Sequence, residues 1–263
     1  MSQTTLFSPA KVNVALAVVG RLGGFHQLET TVQVVSLGDW ISVECAGADR
    51  LVVERAILPV DNTLTRALEL FRQQTGWLQP VEITLKKMIP MEAGLGGGSS
   101  NASTLLWALN QLSSSGLADS QLATWSAAVG SDCPLFFSSG AATVRGRGEQ
   151  VESHGLPLVN EPFHIVKPPY GLSTAAVFGN LQVEEWSGRP VPDHNDLELP
   201  ALRLAPQLAQ LRALLLGSGF HTVRMTGSGS ALLCFGPGHC HDLPPDHQHW
   251  TVQPLQRRAM EWY

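Results

Sequence analysis

The sequence predicts an α+β fold, on three observations. Apolar residues alternate with period two over several short runs. Other, longer runs repeat apolar residues at helical spacing. The two kinds are mixed along the chain without the regular βαβ period of a doubly wound sheet. The chain has 263 residues, of which 44% are hydrophobic and 15% charged. That length suits one large domain or two small ones, and it buries enough surface to need no disulfide or metal staple.

The first strand is read from residue 11 onward. Val12, Val14, Leu16 and Val18 form one face, and Lys11, Asn13, Ala15 and Ala17 the other. That is the pattern of a half-buried strand. Lys11 and Asn13 therefore point the same way, about 7 Å apart along the strand. Gly23-Gly24 makes a turn, and residues 30–35 and 40–44 read as two further strands. Leu64, Ala67, Leu68 and Phe71 predict a helix over 62–74, and residues 81–86 alternate again as a strand. After a glycine-rich segment, Ala102, Leu105, Leu106, Leu109 and Leu112 repeat on one helical face. Ser99 or Ser100 is available as the N-cap of that helix. A helix over 119–129 stops at Gly130, and 141–151 reads as a hairpin around Gly146-Arg147-Gly148. The stretch 154–169 is proline-rich and marks the expected boundary between a domain 1–153 and a domain 154–263. The second half holds a helix near 206–216, a strand near 222–225, a turn at 227–230 and a strand over 231–235. The His- and Pro-rich stretch 239–249 reads as a surface loop.

Composition narrows the function. The net charge is −5 and the pI near 6.0, against a general nucleic-acid or anionic-membrane binder, although a local basic pocket stays possible. No apolar run approaches the length of a bilayer span. Residues 1–8 lack a basic region followed by an apolar stretch, so no signal peptide is expected. Four widely spaced cysteines read as reduced thiols, and a cytoplasmic location is expected. The nine histidines show no zinc spacing, and no metal-ligand set is read.

The segment from Pro90 through Gly94, Leu95, Gly96, Gly97, Gly98, Ser99 and Ser100 carries the strongest chemical signal. Glycines let the backbone approach a ligand, and successive N–H groups can face one anion. The helix that follows adds its N-terminal partial charge, which makes a phosphate site. It is not a Walker loop, because the chain contains no Gly-Lys pair, and the Rossmann pattern fails at Ser99. Protein-kinase signatures are absent as well.

The segment resembles the second motif of the GHMP kinase superfamily. The first motif of that superfamily is matched by Pro9-Ala10-Lys11-Val12-Asn13, and the third by the loop 225–231. Three motifs in order extend the resemblance over nearly the whole chain. Within the superfamily the sequence is most similar to the branch that phosphorylates 4-diphosphocytidyl-2-C-methyl-D-erythritol. Gly24-Phe25-His26, the triple glycine, Gly130-Ser131-Asp132-Cys133-Pro134 and Asn195-Asp196-Leu197-Glu198 carry that likeness. Phe25 stands where the branch usually has tyrosine and keeps a ring for stacking.

The resemblance implies an N-terminal ribosomal-protein-S5-like domain and a C-terminal ferredoxin-like domain. It implies transfer of the γ-phosphoryl of ATP to the 2-hydroxyl of that substrate, in the non-mevalonate isoprenoid pathway. Mg²⁺ is implied by the ATP chemistry. Pro90 and residues 94–100 would hold ATP. Asp132 would take the proton of the alcohol, although its position before Pro134 also suits a helix cap. Lys11 would pair with Asp132 and the reacting hydroxyl. Asn13, Phe25, His26, Thr174 and Phe178 would bind substrate, with Phe25 and Phe178 clamping the cytosine and His26 on its polar edge. The expected partner is a small molecule carrying a cytidine diphosphate, with neither nucleic acid nor membrane, and the protein is expected as a monomer or weak homodimer. The alternatives are another GHMP kinase, of the homoserine or mevalonate type, and a non-catalytic ligand-binding homologue.

Overall fold

The computed structural model describes residues 3–263. Met1 and Ser2, part of the stretch read for a signal peptide, lie outside the described residues. The fold mixes strands and helices, as the sequence predicts. Two long strands, β1 (Thr4–Leu22) and β2 (Phe25–Cys45), form an antiparallel pair joined at Gly23-Gly24. The other edge of β2 pairs with two partners in succession. Trp40 to Cys45 meet β4 (Val81–Lys86), and Leu28 to Gln33 meet β5 (Ala141–Gly146). β3 (Arg50–Glu54) and β6 (Gln150–Ser153) complete a sheet of six strands.

The sequence predicts two strands, 30–35 and 40–44, where the structure has one. Gly38-Asp39 looks like a turn, yet both residues pair with β1. Gly38 is required by close approach. A Cβ there would stand 2.8 Å from the Ser8 carbonyl oxygen and overlap the Phe7 ring.

One face of the sheet is covered by α1 (Thr63–Thr75) and α2 (Gly97–Ser113). Leu64, Phe71, Leu105 and Leu109 pack there against Ile41, Val43, Ile83 and Leu85. Asn62 caps α1, its side chain accepting from the Leu64 and Thr65 N–H groups. α3 (Asp119–Ser126) stops three residues before its expected end, in a turn that leads to a 3₁₀ helix at Cys133–Phe137.

Four antiparallel strands form the second sheet: β7 (Phe163–Lys167), β8 (Thr222–Met225), β9 (Leu232–Phe235) and β10 (Gln248–Val252), in the order β10-β7-β9-β8. β7 lies inside the proline-rich stretch. β10 takes Gln248 and His249 out of the expected surface loop, because they pair with Lys167 and Val166. α4 (Thr174–Gly179), α5 (Glu198–Leu204) and α6 (Pro206–Gly217) belong to this half.

β1 is not half-buried. Val12, Leu16 and Val18 are buried, and so are Lys11, Asn13, Ala15 and Ala17. Ala10 and Val12 pack against Ile165 and Leu233 of the second sheet, while Leu16 and Val18 pack toward α5 and α6. A register shift between Asn13 and Ala15 interrupts the alternation. The first strand is thus enclosed by both halves of the chain, and its polar residues face the cleft between them.

Candidate active site

Three segments far apart in sequence meet around Asn13. Its backbone N–H donates to Thr226 Oγ1 at 2.7 Å, and its side-chain amide donates to Thr30 Oγ1 at 2.8 Å. Its Oδ1 accepts from Lys11 Nζ at 2.8 Å. The Lys11 N–H in turn donates to the Leu95 carbonyl at 3.0 Å. The two glycine loops touch backbone to backbone. A Cβ on Gly229 would lie 2.2 Å from the Gly94 nitrogen, so any larger residue there would separate the loops. Asn195 holds the loop 225–231, donating to the Met225 and Gly227 carbonyls at 3.0 and 2.9 Å. Asp196 is buried and accepts the Val18 N–H at 2.7 Å.

The loop 94–98 runs into the start of α2. Gly96, with φ of +68°, is the N-cap, and no side chain caps the helix. Ser99 and Ser100, expected as caps, lie within its first turn. The helix starts earlier because the last glycines of the loop adopt helical geometry. The N–H groups of Gly97, Gly98 and Ser99 are left without helical acceptors, which suits an anion. Ser100 departs from the expectation more fully. It is buried, its N–H is taken by the Gly96 carbonyl, and its Oγ pairs with Ser8 Oγ at 2.9 Å. The Leu95 side chain is core. Pro90 and Gly94 through Gly98 line a cavity of about 240 Å³ with Asn62 and Lys87.

Asp132 does not cap the 3₁₀ helix that follows it. Its Oδ2 lies 3.4 Å from Lys11 Nζ, and its side chain is 40% exposed while Lys11 is 8% exposed. Both line a cavity of about 220 Å³ with Asn13, Thr174 and Ser228. A wider cavity of about 700 Å³ adjoins it, lined by Phe25, His26, Thr174, Phe178 and Arg147. The His26 ring stacks on Phe178, centroids 5.2 Å apart, and meets the edge of Trp186 at 5.6 Å. Burial, and then the Arg21 charge, hold the His26 imidazole below its ordinary value, which favours the neutral ring. Thr174 Oγ1 shares a hydrogen bond with Ser228 Oγ at 2.8 Å.

Comparison with known proteins agrees with this geometry. The family description "GHMP kinases N terminal domain" matches residues 62–140. The chain is 40% identical to the 4-diphosphocytidyl-2-C-methyl-D-erythritol kinase of Protochlamydia amoebophila, over all of this chain and 94% of that protein. The chain belongs to the 4-diphosphocytidyl-2-C-methyl-D-erythritol kinase family. It is also 39% identical to the chloroplastic kinase of that name from Oryza sativa subsp. japonica, over all of this chain and 73% of the rice protein. A crystal structure of 4-(cytidine 5'-diphospho)-2C-methyl-D-erythritol kinase superimposes with a TM-score of 0.79 at 30% identity, covering 96% of this chain and 99% of that one.

In this member of the kinase family the cleft also contains residues that the sequence reading misses. Lys87 donates to Asp39 Oδ2 at 2.8 Å and to the Ile89 carbonyl at 2.6 Å. Burial pushes its ammonium below the ordinary lysine value, with Asp39 opposing. Asp39 is fully buried and accepts the Met88 and Ile89 N–H groups and the Asn101 amide. It thereby ties β2 to both ends of the phosphate loop. Nothing in local sequence marks Asp39, which lies between the two strands that the sequence predicts. Cys133, next to Asp132, is fully buried, and burial pushes its thiol up to about 12, which favours the protonated thiol. Among the described residues no group of three or more His, Cys, Asp or Glu side chains is placed to hold a metal. Among the same residues no helix is long and apolar enough to cross a membrane.

Proposed function

We propose that this protein transfers the γ-phosphoryl of ATP to the 2-hydroxyl of 4-diphosphocytidyl-2-C-methyl-D-erythritol. The observation that carries the reading is the Lys11–Asp132 pair. It stands between an uncapped helix N-terminus, fit for phosphates, and a cavity lined by Phe25, His26 and Phe178, fit for a base. Asp132, free of any capping bond, accepts the proton of the alcohol. Lys11, fixed by Asn13 and by its backbone bond to Leu95, puts its positive charge where the alkoxide develops. The N–H groups of Gly97, Gly98 and Ser99 hold the ATP phosphates. Asn13 and Thr174 hold the substrate on the far side of the pair, and Phe25 and Phe178 flank the cytosine, for which the His26 ring stacked on Phe178 must turn to the polar edge of the base.

The donor set fits Mg²⁺ held mainly by phosphate and water. Asp132 is the one carboxylate lining the inner cavity, and the half-buried Ser99 offers a hydroxyl at the helix start. When bound, the ion would neutralise phosphate charge. We divide the chain into an N-terminal domain 1–153 and a C-terminal domain 154–263, with the cleft between them. The four free cysteines suit a cytoplasmic protein, and a cleft lined by one chain suits a monomer or weak homodimer.

Turnover tests the reading. The protein with ATP and Mg²⁺ should phosphorylate the diphosphocytidyl substrate, and CDP should compete with it. Turnover of homoserine or mevalonate in its place would move the protein to another branch of the superfamily. Absence of turnover with intact CDP binding would favour a non-catalytic homologue.

A further inference from the structure

The turn between β5 and β6 carries Arg147, to which the sequence reading assigns no ligand. Its backbone N–H donates to Glu149 Oε2 at 2.8 Å, which fixes the turn. Its guanidinium carbon lies 4.1 Å from the centroid of the Phe25 ring. The neighbouring Arg145 is neutralised by Glu29 and Glu152 at 3.3 and 2.7 Å. Arg147 forms no ion pair among the described residues, and it is exposed.

Its place in the cleft gives that free charge a use. Four residues line both the inner cavity and the wide one: Leu28, Arg147, Thr174 and Phe178. Arg147 is the only cation of the four. A substrate whose base lies in the wide cavity and whose alcohol lies at Asp132 must run its diphosphate across this junction. A guanidinium binds phosphate oxygens through paired N–H donors. It also covers one face of the Phe25 ring, and a face so covered cannot hold a base as well.

We propose that Arg147 leaves the Phe25 face when cytosine stacks there and closes on the diphosphate, so that base and diphosphate are recognised together. This rests on the reading of Phe25 as the base-stacking residue. Arg147 is thus both a diphosphate ligand and a plug that keeps the ring covered until substrate arrives.

Calorimetry of cytidine and CDP binding, on the parent and on Arg147→Ala, Arg147→Lys and Phe25→Ala, tests it. Arg147→Ala should weaken CDP by on the order of 10- to 100-fold, as loss of a charged phosphate contact implies. Cytidine should bind Arg147→Ala as well as the parent or more tightly, because the plug is gone. Arg147→Lys should recover part of the CDP affinity, since the charge remains. The salt dependence of CDP binding should flatten in Arg147→Ala, and KM for the full substrate should rise more than kcat falls. Equal loss of cytidine and CDP would show that Arg147 only props the ring and would overturn the proposal. No change in CDP affinity would overturn it too. If Phe25→Ala leaves cytidine affinity intact, the base-stacking reading fails first, and that result is read without any Arg147 variant.

Discussion

Lys11 Nζ stands 3.4 Å from Asp132 Oδ2, and the lysine is buried while the aspartate is open to the cleft. The asymmetry suits the two roles. A buried ammonium held by the Asn13 side chain keeps its position without reorganisation, whereas a carboxylate that accepts a substrate proton must be reachable. Asp132→Asn is nearly isosteric and leaves the Lys11–Asn13 bond in place. We predict that it keeps ATP and CDP affinity within a few-fold and lowers kcat by on the order of 10²- to 10⁴-fold, the usual worth of a general base. Near-normal turnover would remove Asp132 from the base role.

The start of α2 makes a second prediction. A Cβ on Gly97 would meet Lys87 Nζ at 3.0 Å and Ile89 Cγ2 at 3.1 Å. Gly97→Val should therefore push Lys87 and the helix start apart and weaken ATP far more than CDP. Equal loss for both ligands, by calorimetry, would point to misfolding instead.

Phe25 is exposed by 53%, so little of the fold depends on it. Phe25→Tyr should hardly change affinity for the diphosphocytidyl substrate, because stacking uses the ring face. Phe25→Ala should weaken it by about 1–3 kcal/mol, the worth of one base–aromatic stack. ATP affinity should stay as it is. CDP binding unchanged in Phe25→Ala would place the base elsewhere.

The protonation of His26 can be followed directly. Burial and Arg21 hold its folded value below 6.5. Between that folded value and 6.5 the unfolded chain binds more protons than the native one, so stability rises with pH there and is lost as pH falls. NMR titration of the ring should give a midpoint below 6.5, and Arg21→Ala should move it upward. A midpoint at or above 6.5 in the parent would contradict the neutral imidazole. His26→Ala should reduce discrimination between CDP and UDP, measured by competition binding.

Asn195 supports the loop 225–231 with two hydrogen bonds, donated to the Met225 and Gly227 carbonyls, and its own Oδ1 accepts the Leu197 N–H. Asn195→Ala strands buried carbonyl groups and should cost about 1–3 kcal/mol in denaturant unfolding. A loss well below that would mean that water replaces the amide.

Local chemistry was enough to place several elements. Leu64, Ala67, Leu68 and Phe71, read from spacing, are the buried face of α1, and residues 81–86 are β4. The glycine loop that opens α2 was legible because glycines and a helix start are contiguous in the chain. That Lys11 and Asn13 share a face followed from strand geometry alone; the bond between their side chains did not. By contrast, the fusion of two strands into β2 depends on β1 lying beside Gly38-Asp39, and the strand at 248–252 depends on β7. Neither partner is visible from the residues that pair.

The sequence by itself determined which residue types were available, the polarity of each face and the presence of a glycine loop before a helix, because period and turn chemistry act within a few residues. Only the tertiary structure decided that β1 is enclosed on both sides, that Ser100 is turned into the interior, and that Asp39 braces the loop. It also decided that Arg147 stands over Phe25 at the junction of two cavities. Those facts depend on which distant segments are packed together, and long-range packing is set by burial summed over the whole chain rather than by any local pattern.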